Sequence, residues 1–283
     1  MRPQTLHRNL ATSLYMFGDS NSIPTHTSTD GNILTPRNIP TDSLSTFSLG
    51  SDLSSTGGWD VKGLYCGKGA ATAIKWSKEG EDDKLTMHSP SLPQMGANGI
   101  LELNMKEVID VSLGVKHAIA VGTCADTNSV VAKSWGWAGG TIEGYGVLGL
   151  GGDLGGESGV VGAPTDIESL REDGTPLDMV SCSGIHTVGL CEGTNEVLTT
   201  GSGQYGRLGN VDATDQLFFE PVELLMTLPD TKFRKITTGN SYTMVMSEDG
   251  GVWSWGKVRQ GRELKEGWTE GRLEGRRVGP NDG

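Results

Sequence analysis

The sequence predicts an all-β fold, a β-propeller or a related array of short antiparallel sheets, and three observations carry that expectation. A fixed order of short segments recurs along the chain at intervals of roughly 50 residues, the spacing of a propeller blade or another β-rich repeat. Glycine is abundant, 43 of 283 residues, which suits many tight turns because glycine reaches positive φ without a Cβ clash. Few segments hold a 3.6-residue apolar period, so strands rather than helices should dominate.

The best copy lies within residues 179–209. A small-residue turn leads into an apolar strand, Ser183-Gly184-Ile185-His186-Thr187-Val188-Gly189-Leu190. A strand ending in glycine follows, Glu196-Val197-Leu198-Thr199-Thr200-Gly201, and then a glycine-rich loop, Gly203-Gln204-Tyr205-Gly206-Arg207-Leu208-Gly209. The order returns downstream at 239–246 and in Gly251-Val252-Trp253-Ser254-Trp255-Gly256. Upstream it occupies 114–121, 130–136 and Tyr145-Gly146-Val147-Leu148-Gly149. A fainter copy spans 67–74, with Ala70 and Ala71 where His and Thr stand in the best one, so the His slot is filled at 70, 117, 186 and 242.

The elements follow in chain order. Residues 13–19 read as the glycine-ended strand of a first blade, with Phe17 where Trp135 and Trp255 sit later. Residues 31–40 supply a loop and an outer strand, and the Ser/Thr/Gly-rich stretch 43–58 an exposed insertion. Residues 61–74 give the next inner strands, Glu79-Gly80-Glu81-Asp82-Asp83 a solvated turn and 85–88 its return strand, while 96–101 take the place of the glycine loop. The pattern is clear again over 106–121. A glycine-dense insertion covers 139–162, a single helical turn falls within 166–177, and the outer strand is Phe219-Glu220-Pro221-Val222-Glu223-Leu224. Residues 233–256 form the last copy. The expected division is a tail at 1–12, repeats over 13–256 and a disordered tail at 257–283, where glycine alternates with Arg, Lys and Glu. Lys257-Val258-Arg259 also reads as an in-frame splice donor, an expectation that the mature transcript would check.

With 35 acidic against 23 basic residues the formal charge is −12, which repels phosphate backbones and argues against direct nucleic-acid binding. Four scattered cysteines (Cys66, Cys124, Cys182, Cys191) form no CxxC pair. Cys182 and Cys191 are placed at opposite ends of one strand, too far apart to bridge, and Cys66 and Cys182 at equivalent packed positions; reduced thiols in an intracellular protein of the cytoplasm or nucleus are expected. No apolar run reaches membrane-spanning length. Arg2 and Arg8 precede the first acid, Asp19, as in an organelle transit peptide, although an exposed tail is the simpler reading.

The unit Cys182-Ser183-Gly184-Ile185-His186-Thr187, the strand 197–201 and the loop Gly203-Gln204-Tyr205-Gly206-Arg207-Leu208-Gly209 resemble the regulator of chromosome condensation repeat, as does 239–246 with 251–256. The resemblance implies a propeller of four-stranded blades, usually seven. The copies here suffice for about four or five, which implies an incomplete ring with an open sheet edge. It also implies a non-catalytic protein–protein interaction module, with a small GTPase among its partners. Its alternatives are a guanine-nucleotide exchange factor for a Ran-type GTPase, an organelle assembly factor, or a substrate-recruiting part of a ubiquitin ligase.

No catalytic, cofactor-binding or metal-binding residue is expected, and no small-molecule substrate. Gly201-Ser202-Gly203-Gln204-Tyr205-Gly206 matches GxGxxG, but no helix pattern follows it to face a pyrophosphate. His117 and His186 share a slot with Tyr242, which points to a buried hydrogen bond rather than a metal or a base. Trp59-Asp60 occurs once and out of phase. Trp135 and Trp255 are expected between blades, and a triad has no local signature.

Overall fold

The computed structural model describes residues 14–19, 32–39, 58–67, 71–88, 100–137, 146–152, 159–172, 176–191, 193–210, 212–226, 228 and 230–257. Among them lie five antiparallel sheets. Strands β1 (Leu14–Asp19) and β2 (Asn32–Ile39) pair with each other. Blade I is β3 (Asp60–Cys66), β4 (Thr72–Ser77), β5 (Lys84–His88) and β6 (Ile100–Leu101). Blade II is β7 (Met105–Leu113), β8 (His117–Cys124), β9 (Val130–Trp137) and β10 (Val160–Asp166). Blade III is β11 (Met179–Cys182), β12 (His186–Cys191), β13 (Glu196–Gly201) and β14 (Gln216–Pro221). Blade IV is β15 (Phe233–Thr238), β16 (Tyr242–Ser247) and β17 (Val252–Gly256). Each sheet is a meander, and β7, β11 and β15 are neighbours along the inner side. The fold is the expected β-propeller architecture.

The core lies between sheets. Side chains on a strand alternate faces, and β8 shows what that does here. Ala118 and Ala120 join blade I's Ala71, Ala73 and Leu85 in one cluster; Ile119 and Val121 join blade III's Val180, Cys182 and Leu198 in the next. Val188, Leu190 and Val197 meet Phe233, Ile236, Trp253 and Trp255 at the third junction. Both faces of the middle strands are therefore buried, and β12 is buried at every position, its polar His186 and Thr187 included, rather than at alternate ones. Each fully buried Val, Leu or Ile contributes about 1.5–3 kcal/mol.

Glycine is required where the third strand ends. Gly136, Gly201 and Gly256 sit opposite His117, His186 and Tyr242 at φ 114°, 111° and 101°. A Cβ at Gly201 would lie 2.7 Å from His186 Cα, and one at Gly256 2.4 Å from the Ser241 carbonyl oxygen. The glycine-ended strand of the sequence pattern is this close approach.

Several expectations are corrected. Ile100 and Leu101 are not part of a glycine loop: they pair with Thr86 and Leu85 as an outer strand, and 96–99 lie outside the described residues. The outer strand of blade III stops at Pro221, and Glu223–Met226 turn into a short helix that buries Leu225. The faint copy is read one residue out of register. The Gly67 amide donates to the Ala71 carbonyl as Gly114, Ser183 and Gly239 donate to His117, His186 and Tyr242. Ala71, not Ala70, therefore fills the His slot after a turn one residue longer, and Thr72 fills the Thr slot. Cys182 ends β11 while Cys191 ends β12, so they belong to successive strands. The helical turn within 166–177 is Glu168–Glu172, with Leu170 buried. The tails 1–12 and 258–283 and most of 43–58 fall outside the described residues, as do 138–145 and 153–158 of the insertion. No helix among the described residues is long and apolar enough to cross a membrane.

All four cysteines are free: Cys182 and Cys191 are buried, Cys124 is half-buried and Cys66 is exposed rather than packed. Burial pushes the Cys182 thiol up to about 12, whereas hydrogen bonds from Thr127 pull Cys124 below its ordinary value. Alkylation of the native chain is thus expected to mark Cys66 and Cys124 alone, and all four once urea is added. Peptide mass mapping checks this, and native labelling of Cys182 would contradict the second junction's packing.

Candidate functional site

The slots singled out in the sequence converge on one construction at the blade junctions. His117 Nε2 lies 2.9 Å from Thr187 Oγ1 of the next blade, and His186 Nε2 lies 3.0 Å from Thr243 Oγ1. Each threonine hydroxyl donates onward, Thr187 to the Val147 carbonyl (2.9 Å) and Thr243 to the Arg207 carbonyl (2.8 Å). With that proton committed, the hydroxyl oxygen must accept, so both imidazoles carry their proton on Nε2.

The other ring nitrogen separates the two latches. Ser183 Oγ sits 2.6 Å from His186 Nδ1 and takes the amides of Ile185 and His186. At the equivalent place before His117 stands Gly114, where a Cβ would be 2.5 Å from the Ser183 carbonyl oxygen and 2.6 Å from His117 Cε1. His117 Nδ1 therefore has no hydrogen-bond partner among the described residues although the residue is fully buried. Burial alone lowers its pKa from 6.5 to about 4.

The first junction is built differently. Register places Ala71 in the His slot of blade I and Ala118 in the Thr slot of blade II. Both are buried in one apolar cluster. Histidine and threonine are absent together, so neither an imidazole nor a hydroxyl of that pair is left without its partner. That is the outcome expected when a buried polar pair is either complete or absent.

The glycine loop is a wedge between blades. Ser134 donates to the Leu148 carbonyl and Thr199 to the Leu208 carbonyl within a blade, while the preceding carbonyls, Val147 and Arg207, accept from the next blade. Trp255 Nε1 also donates to the Arg207 carbonyl (3.0 Å), and Trp135 is fully buried in the first junction. In the GxGxxG stretch three backbone donors are already used: Ser202 N reaches the Ile185 carbonyl, Gly203 N reaches Asp215 Oδ1 and Gly206 N the Gly203 carbonyl. The stretch itself ends in a 3₁₀ turn, Gln204–Gly206, and the next element after it is β14. Trp59 lies under Lys84 (4.7 Å) and Lys78 (5.8 Å), and Asp60 pairs with Lys62 at the surface.

Inner strands are also stitched. Asp110 Oδ2 accepts from the Val180 amide, Ser112 Oγ from the Cys182 amide and Ser181 Oγ from the Thr238 amide. Burial raises the Asp110 pKa, opposed by the amides of Val180 and Val111. These residues gave no signal in the sequence, because their partners lie one repeat away.

Two ends of the disc remain exposed. At the turn end, Glu79, Glu81, Asp82, Asp126, Glu248 and Asp249 point to solvent, beside a cleft of about 510 Å³ between blades I and II. There Asp83 is held by Lys75 (2.9 Å), Ser77 and the Val108 amide. At the His end, Lys116 sits over Trp137 (4.8 Å), and Lys257 and Arg207 sit over Tyr205 (4.4 and 5.4 Å). Among the described residues no group of three His, Cys, Asp or Glu is placed to hold a metal ion.

Comparison with known proteins agrees with this construction. The regulator of chromosome condensation (RCC1) repeat model matches residues 194–246. The ultraviolet-B receptor UVR8 of Arabidopsis thaliana is 29% identical over 169 residues, covering 59% of this chain and 33% of that protein. Human WBSCR16 superposes with a TM-score of 0.61 at 16% identity, covering 94% of this chain and 61% of that one. Prp20p of Saccharomyces cerevisiae superposes with a TM-score of 0.57 at 14% identity, covering 86% and 54%. The chain thus spans a third of UVR8 and little more than half of the two solved structures. With the repeat order, the glycine wedges and the interblade cores in agreement, the chain carries an RCC1-type repeat at 194–246 and shares the β-propeller fold of proteins built from such repeats.

Proposed function

We propose that the chain is a non-catalytic, intracellular protein–protein interaction module. The observation that supports this reading is where its polar chemistry is spent. His117, His186, Thr187, Thr243 and Ser183, the residues closest in type to catalytic groups, are buried and hold blades together. What faces solvent is two sets of loops on a stiff scaffold, the usual location of binding residues. A small GTPase is the first partner to test, since Prp20p is described by its binding properties to Gsp1p and histones, and exchange-factor activity is the alternative.

A Ran-type GTPase loaded with fluorescent GDP is mixed with a stoichiometric excess of the chain. Complex formation by sedimentation with an unchanged rate of nucleotide release is the expected result. Acceleration of release by about tenfold or more would overturn the non-catalytic reading and favour exchange. Absence of any cross-linked protein partner in cell extract would remove the module reading itself.

A further inference from the structure

We propose that the His-end rim of blades II to IV is a docking strip for an acidic, extended segment of a partner protein. This rests on the interaction-module reading and gives it a surface. The loops of the three blades are continuous. The Val115 amide donates to the Ser183 carbonyl (3.3 Å), and Gly184 sits between Val115 and the side chain of Asn240. One backbone bond then repeats outward at each blade: Trp137 N to Lys116 O, Ser202 N to Ile185 O, and Lys257 N to Ser241 O, all 2.8 Å.

Above this frame lie alternating rings and ammonium groups. Lys116 and Lys257 are exposed over Trp137 and Tyr205, Ile185 is half-buried between them, and Tyr242 follows at 37% exposure. Neither lysine has a carboxylate within ion-pair distance among the described residues. In the same loop Asp215 takes the Gly203 amide, and Asp212 takes Asn210 and Thr214. On a chain of charge −12 with acidic turns at the opposite end, two cations on one rim with no ion pair among the described residues form a local positive site.

Tyr205 adds a separate argument. It holds φ 65° inside the 3₁₀ turn with its ring 50% exposed. A non-glycine residue in the left-handed region costs stability, and strain of this kind concentrates where a side chain serves binding. Glycine at 205 would relieve it, so the ring is kept at a cost that burial does not repay. Aromatic faces flanked by cations suit apolar side chains interleaved with carboxylates. A polyphosphate is disfavoured because only two cations face it and the rest of the molecule repels it.

The test is fluorescence anisotropy with a short labelled peptide of alternating glutamate and leucine at low salt, run beside an oligothymidylate of equal length. The native chain should bind the peptide, and Lys116→Glu with Lys257→Glu should weaken binding by about tenfold. Tyr205→Gly should weaken it several-fold while leaving Tm unchanged or higher. Glu81→Lys with Asp82→Lys, at the other end, should preserve it within about twofold. No peptide binding, equal affinity in the lysine variant, or tighter binding of the oligonucleotide would overturn the strip. A lower Tm in Tyr205→Gly would assign that ring to the fold instead. A protein partner cross-linked to the native chain but insensitive to these variants would leave the module reading intact and remove this surface.

Discussion

Replacing His117 by alanine is expected to destabilise the chain by about 3 kcal/mol, since it opens a cavity at a fully buried site and strips Thr187 of its donor. Thr187→Ala should cost about 2 kcal/mol by leaving His117 Nε2 and the Val147 carbonyl unsatisfied. The pair together should cost less than the sum by about 1–2 kcal/mol, because residues in one hydrogen-bond unit do not act independently. The first junction already contains that double substitution, with Ala71 and Ala118 buried in an apolar cluster. Urea denaturation of the two single variants and the double variant measures the coupling. Strict additivity would mean that the alanine pair at the first junction is coincidence rather than a matched exchange.

Acid should weaken the same junction. His117 is lowered from 6.5 to about 4 because a second proton would have to enter a buried site at Nδ1, where Gly114 offers no acceptor. A depressed pKa gives stability that is fully present above the unfolded value and is lost as pH falls through the folded one. The contribution is therefore complete above pH 6.5 and falls away towards pH 4, a change of about 3 kcal/mol. Asp110 runs the other way: its raised pKa favours the fold below the ordinary carboxylate value and loses that advantage as pH rises. Urea midpoints followed from neutral pH to about pH 4 should show the loss in the native chain and a flatter profile in the His117→Ala, Thr187→Ala double variant. Identical profiles would show that His117 is not the group that titrates.

Much of this was legible in the sequence, and the reason is local. The strand Glu196–Gly201 and its terminal glycine were readable because a strand, a turn and a close approach leave their marks within a few residues. The histidine slot was readable because it recurs. Its partner was not, since Thr187 lies 70 residues beyond His117 and Thr243 lies 57 beyond His186. The signal was present nonetheless: the position after the slot is Ala118 after His117, but Thr187 and Thr243 after His186 and Tyr242, and each matches the slot of the preceding blade. The faint copy was misread by one residue because its turn is longer, and only the Gly67–Ala71 bond fixes the register. The rim was hidden for another reason. Lys257 was assigned to the tail, and Tyr205 looked like one letter of a turn motif until its dihedral angles placed it under a cation.

Because β8 divides its side chains between two cores, no single sheet owns enough apolar contact to persist alone. The smallest self-supporting piece is a neighbouring couple, and stability accrues by adding neighbours, as in a one-dimensional chain of coupled spins. Among the described sheets, amide protons of β12 and β13, which lie in a blade flanked by blades II and IV, should exchange late. Heredity inherits the same constraint. A duplicated segment is acceptable only if its leading side fits the trailing side already there, so selection acts on seams rather than on repeats.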